Sequence, residues 1–133
     1  MKKIAHVIWL FIFLLVFLTG CVSNALPKKE LAKEYYNLGN AYWGLEKHEK
    51  ALDYYEKALE LNPDLMSSSY NLARLYIDLE QYDKALSVLN SMEETDADNI
   101  LILETLGYIY YLKGQIDKAA EYYRSVLESA PER

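Results

Sequence analysis

The stretch AKEYYNLGNAYWGLEKHEKALDYYEKALELNPDL, residues 32–65, decides the fold. Tyr35, Leu38, Tyr42 and Leu45 recur at steps of three and four, an apolar stripe along one helix face. Glu46-Lys47-His48 interrupts the stripe, and Ala51, Leu52, Tyr55, Ala58, Leu59 and Leu61 resume it. Asn62-Pro63 ends the second stripe, because proline has no N–H to give and restricts the residue before it. Two amphipathic helices joined by a short turn cannot bury their apolar faces unaided. Such a hairpin needs neighbours.

The neighbours follow at once. Shifted by 34 positions, Leu38 falls on Leu72 and Leu106, Gly39 on Ala73 and Gly107, and Tyr42 on Tyr76 and Tyr110. Lys50, Lys84 and Lys118 coincide, as do Ala51, Ala85 and Ala119, and Tyr55, Leu89 and Tyr123. Six aligned columns in three copies make a repeat. The units are 32–65, 66–99 and 100–133, with helices expected at 32–45, 49–62, 66–79, 83–94, 100–113 and 117–129. The small residues, Gly39, Ala73 and Gly107 on first helices and Ala51, Ala85 and Ala119 on second ones, let helix axes approach to about 8–10 Å.

These residues resemble the tetratricopeptide-repeat family over residues 32–133. The match of leucine, glycine, tyrosine, alanine, aromatic, alanine and proline is complete in the first copy. The second copy departs from it: Ser69 stands at a large apolar site, Met92 replaces the usual alanine, and Ala97 the usual proline. Its exit, Thr95-Asp96-Ala97-Asp98-Asn99, is polar and lacks that brace, which predicts a loose junction. The resemblance implies an all-α fold, three helix-turn-helix hairpins stacked into a short right-handed superhelix, an α-solenoid whose first helices line a concave groove.

In that geometry the groove takes Lys33, Tyr36, Asn40, Trp43 and Gly44 from the first unit. The second supplies Ser67, Tyr70, Arg74, Ile77 and Asp78, and the third Leu101, Glu104, Tyr108, Tyr111 and Leu112. Five aromatics and three aliphatics stand where a free surface prefers charge. One reading is a tyrosine-rich trough for an extended peptide or a partner helix, oriented by Asn40, Arg74 and Glu104. The other is that three short repeats curl tightly and the rings cover one another. A branch of the family grips the C-terminal carboxylate of chaperones with a clamp of two lysines, two asparagines and an arginine. Asn40 and Asn71 match its asparagines, but Tyr36, Leu101 and Thr105 occupy its basic positions, so that activity is not expected.

Residues 1–31 read as an address. Lys2 and Lys3 precede fifteen uncharged residues, Ile4 to Leu18, and then Leu18-Thr19-Gly20-Cys21. This is the layout of an export signal. The nineteen residues counted through Val22 are also long enough for an uncleaved anchor, and it is Leu-Thr-Gly-Cys, which resembles the lipobox of bacterial lipoproteins, that decides for cleavage. The resemblance implies cleavage between Gly20 and Cys21, a diacylglyceryl group on the Cys21 sulfur, and a further acyl chain, such as palmitate, on the new amino end. Several chains give stable anchoring where one is marginal. Residues 1–20 are then the signal and 21–31 a lipidated tether, poor in helix-forming residues around Pro27. Val22, where inner-membrane members often carry Asp, favours the outer membrane in a two-membraned bacterium, and otherwise the outer face of the cell membrane.

Charge and composition exclude much. The 133-residue chain has a net charge of −6, and removal of Lys2 and Lys3 leaves twelve basic residues against twenty acidic. Nucleic acid needs a basic surface, so it is not a partner. A single cysteine rules out an internal disulfide framework. His48 stands alone in a turn, Glu93-Glu94 and Asp96/Asp98 lack the spaced ligands and glycine of a calcium loop, and there is no glycine-rich phosphate loop. No catalytic residue, metal or cofactor is expected; the chain reads as a protein-binding adaptor at the cell envelope, in assembly or secretion. The alternatives are a self-associating structural protein and an accessory subunit of an envelope enzyme. The last helix, with Ala119, Ala120, Tyr122, Tyr123, Val126 and Leu127, carries more apolar surface than one neighbour can bury, which predicts docking on a second copy or a partner.

Overall fold

The computed structural model describes residues 26–129 as six helices without a strand. They are α1 (Lys28–Gly44), α2 (His48–Leu61), α3 (Met66–Asp78), α4 (Tyr82–Thr95), α5 (Ile100–Leu112) and α6 (Ile116–Ser129). The pairs α1/α2, α3/α4 and α5/α6 form hairpins 1, 2 and 3. Each helix packs on its neighbours in sequence, and α1 also touches α3. That is a solenoid: hairpins stacked in chain order, first helix beside first helix.

Five helices start and stop within one residue of the expected positions. The first begins four residues early, at Lys28, so the end of the tether is helical. Proline fixes φ near the helical value and has no N–H to waste, which suits it to a helix start. Here the Pro27 carbonyl accepts from the Glu30 and Leu31 N–H groups at 2.9 and 3.0 Å. Glu30, in the first turn, also pairs with Lys33 at 3.1 Å.

Each hairpin turn is built alike. Glu46, Glu80 and Gly114, at the same place in the three repeats, have φ of 56°, 57° and 72°. The next residue's N–H reaches back to the tyrosine carbonyl of the repeat column: Lys47 to Tyr42, Gln81 to Tyr76 and Gln115 to Tyr110, at 2.9, 2.8 and 2.8 Å. A left-handed residue followed by this six-to-one bond is the Schellman ending, which satisfies carbonyls left over at a helix C-terminus.

Packing inside each hairpin follows the columns. Lys50, Lys84 and Lys118 on the second helices place their ammonium groups 5.2, 5.4 and 5.1 Å from the ring centres of Tyr42, Tyr76 and Tyr110. This explains why lysine and tyrosine columns recur together, a cation–π contact worth about 0.5–1 kcal/mol at such exposed sites. Ala51, Ala85 and Ala119 are buried, as are Tyr55, Leu89, Leu72 and Leu106. Leu38 is exposed although its repeats Leu72 and Leu106 are buried, because no described helix precedes hairpin 1.

The junction expected to be loose is braced. The Asn99 side chain accepts from the N–H groups of Leu101 and Ile102 at 3.1 and 3.4 Å and donates to Asp96 at 2.8 Å. An asparagine N-cap thus fixes the start of α5. The apolar run ahead of the tether, Gly20 and Cys21 lie outside the described residues.

Candidate groove between the first helices

The groove side of α1, α3 and α5 carries a second periodicity, one residue longer than the repeat. Trp43 Nε1–H donates to Asp78 at 3.0 Å, Asn71 donates to the Tyr36 hydroxyl at 3.3 Å, and the Tyr70 and Thr105 hydroxyls bond at 3.1 Å. Each pair is 35 residues apart. Successive first helices are offset so that a groove position in one faces the next position in its neighbour. Three residues expected to face a ligand, Tyr36, Trp43 and Tyr70, therefore spend their polar ends joining hairpins, and their rings are half-buried.

Asn40 is also engaged. Its side-chain oxygen accepts from the buried Tyr55 hydroxyl at 2.6 Å and from Asn71 at 2.8 Å. It was expected to orient a ligand; here it holds the junction of hairpins 1 and 2. The signal was available: position nine faces the second helix of its own hairpin, where Tyr55 brings a hydroxyl that must find an acceptor once buried. Burial pushes the Tyr55 hydroxyl pKa up to about 12.

Arg74 behaves differently. Its guanidinium lies 5.1 Å from the Trp43 ring centre and 6.0 Å from that of Tyr70. The two rings hold the cation on the groove wall. Arg74, Tyr70, Ile77, Asp78, Leu101, Glu104, Thr105 and Tyr108 line an open hollow of about 280 Å³. A second hollow of about 310 Å³, which shares Tyr70 and Leu101, is walled by Tyr36, Met66, Met92 and Ile102, with Ser67, Asn71 and Asn99 at its polar edge. Most of the expected groove residues thus meet around two adjoining hollows, and Thr105, Met66 and Met92 join them unforeseen.

The third hairpin provides the free apolar surface. Leu101, Tyr108 and Tyr111 are 50%, 46% and 59% exposed, and Leu112 is exposed as well. Lys33, Asn40, Trp43, Gly44, Tyr111 and Leu112 line neither hollow; Lys33 is paired with Glu30. On the groove side, the rings of Tyr36 and Trp43 pack on Tyr55 in hairpin 1, Tyr70 is half-buried in hairpin 2, and Tyr108 and Tyr111 stand open on hairpin 3. Among the described residues no group of three or more His, Cys, Asp or Glu is placed to hold a metal ion, and no helix is long and apolar enough to cross a membrane.

Models of the tetratricopeptide repeat match residues 32–65, 54–87 and 100–133. The middle match runs from α2 into α4 and stops before Met92. A 46-residue stretch is 47% identical to the photosystem I assembly protein Ycf3 of Acaryochloris marina (strain MBIC 11017), covering 33% of this chain and 28% of that protein. A crystal structure of MamA superposes with a TM-score of 0.71 at 27% identity, over 76% of this chain and 59% of MamA. The first such domain of Spaghetti (RPAP3), bound to the HSP90 peptide SRMEEVD, gives a TM-score of 0.71 at 23% identity, over 79% of this chain and 83% of that domain. At that identity the likeness is one of fold. The chain spans little more than a quarter of the curated relative and under two thirds of MamA.

Proposed function

The chain belongs to the tetratricopeptide-repeat family, and from that premise we propose that it is an adaptor whose groove holds a segment of a protein partner at a bacterial cell envelope. The observation that carries this reading is the open wall of α5: Leu101 and Tyr108 line the hollows and lie exposed, and Tyr111, further along the same helix, is exposed as well. Apolar surface kept open next to a cleft is what a peptide side chain needs, and rigid tyrosine rings bind at little entropic cost. A role in assembling other proteins is supported by Ycf3, named for assembly. The partner here is not held by a carboxylate clamp, since Tyr36, Leu101 and Thr105 carry no charge.

The envelope part of the proposal rests on residues 1–31. The lipobox-like Leu18-Thr19-Gly20-Cys21 after an apolar run supports cleavage before Cys21 and attachment of lipid to its sulfur, with an outer-membrane location in a two-membraned cell. Mass spectrometry of the mature chain tests this directly. An unmodified Cys21 removes the lipid anchor.

The groove is tested by capture from native membranes with the wild-type chain and with a Leu101→Ser/Tyr108→Ser/Tyr111→Ser variant. All three side chains are about half exposed, so each change costs roughly 0.5 kcal/mol and the three together about 1.5 kcal/mol, which a melting curve of the variant checks. A defined partner captured by the wild type and lost by the variant supports the groove; equal capture by both overturns it. A second reading, self-association, draws on the outer face of α6, where Ile116, Tyr123 and Leu127 are exposed. Light scattering separates the two, since a self-associating chain changes mass without any partner.

A further inference from the structure

Hairpin 2 reverses the sizes of four residues found in hairpin 1. Tyr35 and Tyr54, with ring centres 6.0 Å apart, correspond to Ser69 and Val88. Ala32 and Ala58, both fully buried, correspond to Met66 and Met92. Large residues have become small on one side of the hairpin and small ones large on the other. Because the volumes are not exchanged in place, an open notch of about 480 Å³ remains between α3 and α4, next to Pro63 and Asp64. Val88, Met66 and Met92 wall it, and Ser69, Ser87 and Ser91 supply hydroxyls.

Its chemistry is that of the missing side chains. In hairpin 1 the place is filled by two tyrosine rings, one of which stacks again on Tyr42 at 5.2 Å. In hairpin 3 the corresponding hollow contains Leu103 and Tyr122 but is edged by Glu93, Asp98 and Glu128, whose carboxylates repel the face of an incoming ring. The hairpin 2 notch has only Asp64 among its lining carboxylates. Thioethers make favourable contacts with ring edges, and unbranched methionine adapts to the shape it meets. Serine hydroxyls at the mouth suit a phenol.

We propose that this notch is a binding site for an aromatic side chain, of the tyrosine type, presented by a partner polypeptide. It is a second point of attachment on the opposite wall of Met66 and Met92 from the groove hollow, and it stands or falls independently of the groove. A partner that uses both would straddle those two methionines.

The test uses the full-length chain labelled with 13C at the methionine methyls, of which there are three. The probe is p-cresol, a free tyrosine side chain, with cyclohexanol as the non-aromatic control. The expected result is a saturable ring-current shift at the Met66 and Met92 methyls with p-cresol, and an excess of cyclohexanol, which carries no ring current, fails to displace it. Ser69→Tyr fills the notch from within and weakens p-cresol by roughly tenfold or more. Ser69→Leu, which installs the residue hairpin 3 carries there, does the same and guards against misfolding of the bulkier variant. Absence of a saturable shift overturns the site. So does a shift that survives both substitutions, because it places the ring in the groove hollow that shares the two methionines.

Discussion

A Cβ on Gly39 would stand 2.5 Å from Cε1 of Tyr55, so the glycine is the space in which the tyrosine ring lies. The pairing recurs with matched sizes. Ala73 accompanies Leu89 in hairpin 2, and Gly107 accompanies Tyr123 in hairpin 3, where an added Cβ would meet the ring at 3.1 Å. The repeat therefore holds the sum of two side chains steady within each hairpin, and neither residue is free to change without the other.

Gly39→Ala is expected to cost about 1–3 kcal/mol, the range for overpacking a filled core. Tyr55→Leu in the same chain recreates the Ala73/Leu89 pair and removes the clash, so the double variant is more stable than the two single costs added together. Urea unfolding of the four proteins measures the coupling. Strict additivity would show that the contact does not govern packing.

The turns give a cleaner case. A left-handed residue with a Cβ costs roughly 1 kcal/mol relative to glycine, and hairpins 1 and 2 use glutamate where hairpin 3 uses glycine. Glu46→Gly and Glu80→Gly should each raise stability by about 0.5–1 kcal/mol, and Gly114→Ala should lower it by a similar amount. Thermal melts of the three variants check the signs. A lowered melting temperature for Glu80→Gly would contradict the assigned backbone geometry.

Those turns also show what the sequence could reveal. Period 34, the apolar stripes and the interrupting residues placed five helices to within a residue, because each signal is local to one helix or one turn. The offset between first helices is not local. Trp43 with Asp78 and Tyr70 with Thr105 pair at 35 residues, a consequence of how hairpins slide on one another, and no column of the repeat announces it. Asn40 was half legible: its own hairpin brings the buried Tyr55 hydroxyl to it, whereas the Asn71 amide arrives from α3 and depends on how the hairpins dock. Groove residues of α5 were legible because no further first helix among the described residues competes for their faces. Ala97 in place of proline pointed to looseness, yet Asn99, two residues on and directly before an apolar helix, already carried the signal of a cap.

Alkaline pH tests the buried hydroxyls. Burial holds Tyr55 near a pKa of about 12, and burial with the neighbouring Glu93 carboxylate does the same for Tyr122. An unfolded tyrosine titrates near 10. Below pH 10 both states keep the proton and stability is unaffected. Between about 10 and 12 only the unfolded chain releases it, so stability falls as pH rises, by up to about 2–3 kcal/mol from Tyr55 alone. Urea midpoints between pH 8 and 11.5 should drop steeply in the wild type and less in Tyr55→Phe. Parallel slopes for the two would refute the assignment.

Asn40 and Trp43 lie one turn apart on α1, and removing their hydrogen bonds should differ in cost because of what each leaves behind. Asn40→Ala strands the Tyr55 hydroxyl in a fully buried position and deprives Asn71 of its nearer acceptor. An unsatisfied buried polar group costs about 1–3 kcal/mol, and Asn40→Ala should fall there. Trp43→Phe releases Asp78, an exposed carboxylate that water can solvate, and keeps a ring beneath Arg74, so its cost is about 0.5–1 kcal/mol. Tyr55→Phe should rescue much of the Asn40→Ala loss by removing the stranded hydroxyl, and should do nothing for Trp43→Phe. Denaturant melts of the singles and the two doubles give the comparison. If Trp43→Phe proves the costlier change, hairpins 1 and 2 are joined chiefly through the indole, and the Asn40 centre is secondary.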